Sequence, residues 1–187
     1  MATANNAQKK NDAGLFRQLK YGAFLVFEKL THWCIHPHLR ASCLRFAGAS
    51  IGKNVRIYEC SFFNLQQGFR HLQIANDVHV GYGCLFDLAD VISIGERSTI
   101  SPGVMLLTHS DPGAAHGSKL ATLYPPKMEQ LVIGTDCWIG ANAVLLCGVR
   151  ISDSAVVGAG SVVTKSVVEG TVVAGVPATI KRSHLAD

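Results

Sequence analysis

From Ile51 onward, aliphatic residues recur every six positions. Ile133, Ile139, Leu145, Ile151, Val157 and Val163 form an unbroken run at that spacing. Ile51, Ile57 and Phe63 keep the same step, as do Ile74, Val80 and Phe86, and then Ile94, Ile100 and Leu106. Four residues after the first five members of the long run stand Cys137, Ala143, Val149, Ala155 and Ser161, all small or β-branched. A period of six is neither the helical 3.6 nor the strand's 2. It predicts a short strand, a tight turn and another short strand, with three hexads closing one triangular coil. Each anchor then points inward and stacks on its counterpart one coil later, about 4.8 Å away. No side of the triangle buries its anchors alone, so stacked coils share one core. The predicted class is all-β: a parallel β-helix of about five coils.

The repeat breaks twice. Extra residues lie between Phe86 and Ile94, around Asp87 and Asp90. A longer insertion, 109–130, carries Asp111, Pro112, Gly113, His116, Gly117, Pro125 and Pro126. Turn formers dominate it, and a loop of that length on a regular scaffold marks a functional region.

The chain before the repeat reads differently. Residues 1–12 are polar and predict a disordered tail. Residues 13–48 predict a short helical segment, with Leu15, Phe16, Leu19, Phe24, Phe27 and Leu30 near helical spacing. Pro37 suits the first turn of a second helix, with Leu39, Cys43, Leu44 and Phe46 as its expected apolar face. The β-helix domain is expected over 49–183.

Composition changes the picture in three places. Of 187 residues 18 are glycine and only 16% are charged, which argues against disorder for the repeat. The net charge of +4 is uneven: Lys9, Lys10, Arg17, Lys20, Lys29, Arg40 and Arg45 against Asp12 and Glu28 leave +5 on residues 1–50 and −1 on the rest. A chain-wide nucleic-acid surface is therefore not expected. The six cysteines show no CxxC spacing and read as small buried hydrophobes of a reducing compartment. No uncharged apolar run is long enough to span a bilayer. The local +5 adds the expectation of peripheral contact with a membrane face, for a protein otherwise expected to be cytoplasmic.

The repeat, VIGTDCWIGANAVLLCGVRI, VVGAGSVVTKSV and the ending VVAGVPATIKR together resemble the hexapeptide-repeat acyltransferases, in the sugar and polysaccharide O-acetyltransferase branch that includes the maltose and galactoside enzymes. The resemblance spans about residues 48–183. It implies a left-handed β-helix, an exception to the usual right-handed crossover. It also implies a homotrimer with active sites between subunits and acetyl-CoA as acyl donor to a carbohydrate hydroxyl.

On this resemblance His109, in LLTHSDP, is the general base that takes the acceptor's hydroxyl proton; histidine's ordinary pKa suits that task. Asp87 and Asp111, beside the two breaks, are expected to bind the acceptor. Thr164, Ala141 and Ala159 match positions lining the CoA groove, and Lys165 and Arg182 match phosphate- and adenine-contacting ones. The branch's usual Asn and Asp fall on Gly81 and Ala89, and one family arginine on Thr179, so the acceptor site departs from the maltose and galactoside pattern. The pattern FDLAD with LLTHSDPG looks more like the surface-polysaccharide enzymes. Acetylation of serine or of an antibiotic on the same scaffold remains an alternative. So do a zinc hydratase of the γ-carbonic-anhydrase type and a non-catalytic β-helix, although no metal ligand set is expected from the spacing of His79, His109 and His116.

Overall fold

The computed structural model describes residues 2–184, with side chains from Gly14 onward. The tail expected over residues 1–12 falls where no side chain is described, and its first residue lies outside the described ones. Helix α1 spans Ala2–Thr31 and α2 spans Pro37–Phe46. Parallel strands follow in three stacks, one for each side of the triangle.

The first side holds Ser50–Ile51, Leu72–Ile74, Ile92–Ile94, Leu131–Ile133 and Arg150–Ile151. The second holds Arg56–Ile57, His79–Val80, Thr99–Ile100, Trp138–Ile139 and Val156–Val157. The third holds Cys60–Phe63, Cys84–Asp87, Met105–Leu106, Val144–Leu145 and Val162–Val163. Each side thus carries one strand from each of five coils, as the hexads predict.

The anchors stack in register. Ile74 pairs with Ile94, Ile94 with Ile133 and Ile133 with Ile151, and all are buried. The small residues four places on, Cys137, Ala143, Val149, Ala155 and Ser161, are buried beside them. One anchor differs. Phe62, not Phe63, faces inward in the first coil and stacks on Phe86 at 5.2 Å between ring centroids.

The tight corners need backbone that most side chains avoid. Between first and second sides every coil places one residue at positive φ: Asn54, Asp77, Arg97, Asp136 and Ser154. Asn and Asp tolerate that region better than most residues. Arg97 is the costly member, and its guanidinium forks onto both Asp136 carboxylate oxygens at 2.7 Å. Coils also approach each other closely: a Cβ on Gly95 would lie 2.5 Å from the Gly134 carbonyl.

Both ends of the stack are covered. Thr171–Ala174 adds to the second side and pairs antiparallel with Thr179–Ser183. At the other end the helices cover the first coil. The inner face of α2 is Arg40, Ala41 and Leu44, whereas Leu39 and Phe46 point to solvent. Of the expected apolar face Leu44 is buried and Cys43 half-buried, and only Leu39 and Phe46 depart from it. Buried Arg40 explains the departure: its guanidinium donates to the carbonyls of Thr31, Cys34 and Ile57, tying both helices to the coil. From α1, Phe24 and Phe27 pack edge-on against Phe69. Glu28 is buried and accepts from the Phe62 N–H at 3.3 Å and from His32 at 2.9 Å.

Candidate active site

The corner between the third and first sides is where the coils stop being regular. Residues 64–71 follow the first coil's third-side strand and include a 3-10 turn, Leu65–Gln67. Residues 88–91 follow the second coil's, and the long insertion follows the third coil's. Because coils stack, these three irregular stretches stack as well. Asn64, Asp87 and His109 stand there, one from each successive coil.

Asp87 ends the strand Cys84–Asp87, and its side chain is 0% exposed. Its Oδ2 accepts from the backbone N–H groups of Thr108 and His109, both at 3.0 Å, and pairs with His109 Nδ1. Its Oδ1 accepts from Asn64 Nδ2 at 2.8 Å and from the Ala89 N–H at 3.2 Å. The Thr108 hydroxyl donates to the Asp87 carbonyl at 2.6 Å. Burial pushes this carboxyl up, but the hydrogen bonds from His109, Asn64 and the backbone outweigh it and hold Asp87 below the ordinary carboxylate range.

An ionised carboxylate only accepts, so the His109 hydrogen sits on Nδ1 and the lone pair on Nε2. The Asn64 amide also lies 3.2 Å from His109 Nδ1, but both are donors there, and the amide's bond goes to Asp87. Phe63 meets the imidazole edge-on at 6.2 Å. The ring is 34% exposed and faces a cavity of about 590 Å³.

The insertion builds one wall of that cavity. His109–Ser110 pairs antiparallel with Lys127–Met128, closing the base of the loop as a two-stranded ribbon. Leu123, Tyr124 and Pro125 of the loop line one side. Leu107, Leu146 and Thr164, equivalent positions of successive coils, line the other with Cys147. Burial pushes the Cys147 thiol up, which favours its protonated form.

The expected site residues divide. His109 and Thr164 share the cavity, and Lys165 is the exposed residue that follows Thr164. Ala141 and Ala159 occupy equivalent positions at a different corner, after the second side, where Gly160 N–H donates to the Ala141 carbonyl at 2.8 Å. Arg182 lies on the closing hairpin opposite Val172. Within one chain, therefore, only Thr164 of these five joins His109.

The expectation that Asp87 binds the acceptor is corrected. Its carboxylate is buried and committed to His109, Asn64 and three backbone N–H groups, so no surface is left for a ligand. Asp111 is exposed, and its Oδ1 accepts from the Gly113 and Ala114 N–H groups at 2.8 Å, which orders the start of the loop. Asp90 likewise turns its carboxylate to the Val91 N–H. Asn64 was not foreseen. Its signal was the spacing that carries Phe63 onto Asp87, which places the next residue beside that carboxylate.

Among the described residues no three His, Cys, Asp or Glu side chains converge to hold a metal ion. The described cysteines are free thiols.

Stacked coils with a six-residue repeat are the architecture of hexapeptide-repeat proteins. The model for the hexapeptide repeat of succinyl-transferase matches residues 130–165. Galactoside O-acetyltransferase of Escherichia coli K12 is 30% identical over 149 residues, 76% of this chain and 68% of that one. The Lactococcus lactis galactoside O-acetyltransferase is 27% identical over 174 residues, covering 92% and 81%. A solved galactoside acetyltransferase in complex with coenzyme A superposes with a TM-score of 0.66 at 25% identity, covering 89% of this chain and 82% of that one. The chain belongs to the hexapeptide-repeat acyltransferases, in the sugar O-acetyltransferase branch.

Proposed function

We propose that this protein is an acetyl-CoA-dependent O-acetyltransferase that acts on a carbohydrate hydroxyl, with His109 as general base. The observation that carries the reading is the buried Asp87 carboxylate on His109 Nδ1, which leaves Nε2 as the acceptor of a proton at the cavity. Family membership supports acetyl-CoA as donor, and the coenzyme A complex of the galactoside enzyme supports the same class of ligand.

In the proposed reaction the acceptor oxygen attacks the acetyl carbonyl carbon while Nε2 removes its hydroxyl proton. The tetrahedral intermediate collapses, the carbon–sulfur bond breaks, and the imidazolium returns the proton to the departing thiolate. Asp87 acts through His109: it sets the tautomer and stabilises the imidazolium. Asn64 holds the second Asp87 oxygen. Thr164, with Leu107 and Leu146, offers a wall for the acyl-bearing arm of the donor, and Lys165 lies one step beyond for its phosphates. Ala141, Ala159 and Arg182 contribute to the donor groove from a neighbouring subunit in the proposed homotrimer. Asp111 orders the loop that faces the acceptor. A carbohydrate is favoured over serine or an antibiotic because the two relatives matched over most of the chain are galactoside enzymes.

The test is His109→Ala assayed by thiol release from acetyl-CoA against a panel of sugars, nucleotide sugars and serine. Acetyl transfer is expected to fall roughly thousandfold with CoA affinity unchanged. Retained transfer would remove His109 from the chemistry, and a wild-type response to serine alone would overturn the carbohydrate assignment.

A further inference from the structure

The N-terminal helices carry apolar surface that the β-helix does not use. On α1 the inner face is Phe24, Phe27, Glu28 and Thr31. Leu15, Leu19, Val26 and Leu30 follow one another at steps of four, seven and four, which aligns them along a single stripe turned away from that face. All four are exposed, as is Phe16 beside them. The chain then exposes Trp33 at 85% and Ile35 at 92%, and α2 exposes Leu39 and, at 92%, Phe46. Soluble surfaces rarely leave so many large apolar side chains uncovered in one short segment.

The charge of the same segment is one-sided. Arg17, Lys20, Lys29 and Arg45 are exposed. Glu28 is the one acid between residues 14 and 50, and it is buried against His32, Lys29 and the Phe62 N–H. No carboxylate therefore faces solvent among the described side chains of these helices. On α1 Lys29 stands beside the apolar stripe, its ammonium 3.2 Å from a Glu28 oxygen, whereas Lys20 lies toward the inner face, over the Phe24 ring at 5.9 Å.

We propose that α1 and α2 form a docking surface for an anionic lipid bilayer. The apolar stripe enters the acyl boundary, and the exposed basic side chains of the helices supply the positive charge at headgroup level. No described helix is long and apolar enough to cross a membrane, so the contact lies in the plane of the surface. Charge decides between a bilayer and a second copy of this chain. Residues 1–50 carry +5, so two such segments repel, whereas an anionic leaflet attracts each basic residue by about 1 kcal/mol. The surface lies at the first-coil end of the stack, so docking there leaves the long loop and its cavity accessible.

The experiment is co-sedimentation of the full chain with vesicles of phosphatidylcholine alone or of phosphatidylcholine and phosphatidylglycerol. Binding is expected only to the phosphatidylglycerol vesicles, and raised salt weakens it. Lys20→Glu with Lys29→Glu is expected to lower partitioning by at least about tenfold. Leu19→Ser with Val26→Ser and Leu30→Ser is expected to lower it by at least about tenfold as well, with circular dichroism unchanged. Equal recovery in the supernatant with both vesicle types overturns the proposal. So does a serine variant that binds vesicles normally but changes its oligomeric mass, because a second copy would then cover the stripe.

Discussion

The same corner of the triangle is built in two ways along this molecule. In the fourth coil the third-side strand Val144–Leu145 reaches the next first-side strand, Arg150–Ile151, through four residues. In the first three coils the anchors on either side of the same corner lie further apart than the six residues from Leu145 to Ile151: Phe62 to Ile74, Phe86 to Ile94, and Leu106 to Ile133 across the 109–130 insertion. The regular version supplies Leu146 and Cys147 as wall and little chemistry. The interrupted version supplies Asn64, Asp87 and His109, with hydrogen bonds running across three coils. Stacked coils put equivalent positions side by side, so departures from the hexad at one corner accumulate into one site. Regular coils hold the frame, and polar groups gather where the repeat fails.

The strongest challenge to that contrast is Asp87→Asn. An amide in place of the carboxylate favours the wrong histidine tautomer, and acetyl transfer is expected to fall at least about a hundredfold. CoA affinity is expected to hold, because Asp87 touches no part of the donor wall. Steady-state kinetics with separate CoA binding measures both. Equal loss of activity and CoA binding would make Asp87 a structural residue only.

A regular position gives the converse. Gly95→Ala forces a Cβ against the Gly134 carbonyl, which backbone stacking cannot relieve. Denaturant unfolding is expected to show a loss of about 2 kcal/mol or more, with activity of the remaining folded protein near normal. Asn64→Ala comes next in size. It removes one of the hydrogen bonds on Asp87 and is expected to lower kcat by about tenfold with little change in KM for the donor.

The smallest effect concerns the helical end. The hydrogen bond to Glu28 raises His32 above its ordinary value, against the opposing effect of burial. Burial raises Glu28, but its bonds to His32, Lys29 and Phe62 hold it below the ordinary carboxyl range. The His32 contribution is fully present below about pH 6.5 and is lost as pH rises through its raised value. The Glu28 contribution is present above its ordinary value and is lost as pH falls through its lowered one. Thermal unfolding is therefore expected to show a modest loss of stability as pH rises above about 6.5, and His32→Gln abolishes it.

Much of this was legible in the sequence, for a physical reason. Every coil repeats the same local demand, an inward aliphatic at one step and a small residue four places on, so Ile133 to Val163 announce the architecture. Legibility ends where a side chain's partner lies a full coil away. Asp87 was found by its place at a break, but its direction was not. The strand puts Phe86 inward, and alternation would send Asp87 to solvent. The break instead folds it under Thr108 and His109. Asn64 belongs to an interruption that the six-residue spacing does not reveal, because Phe63 stands at the expected step while Phe62 takes the core position. On α2 the expected face holds at Leu44 but not at Leu39 and Phe46, because Arg40, a residue type that ordinarily stays at the surface, is the one that binds the helices to the coil.

A double-mutant cycle on Asp87 and His109 tests the central claim most directly. If Asp87 works through His109, Asp87→Asn added to His109→Ala lowers acetyl transfer no further than His109→Ala alone. Losses that multiply across the two sites would show that they act independently and would contradict the account.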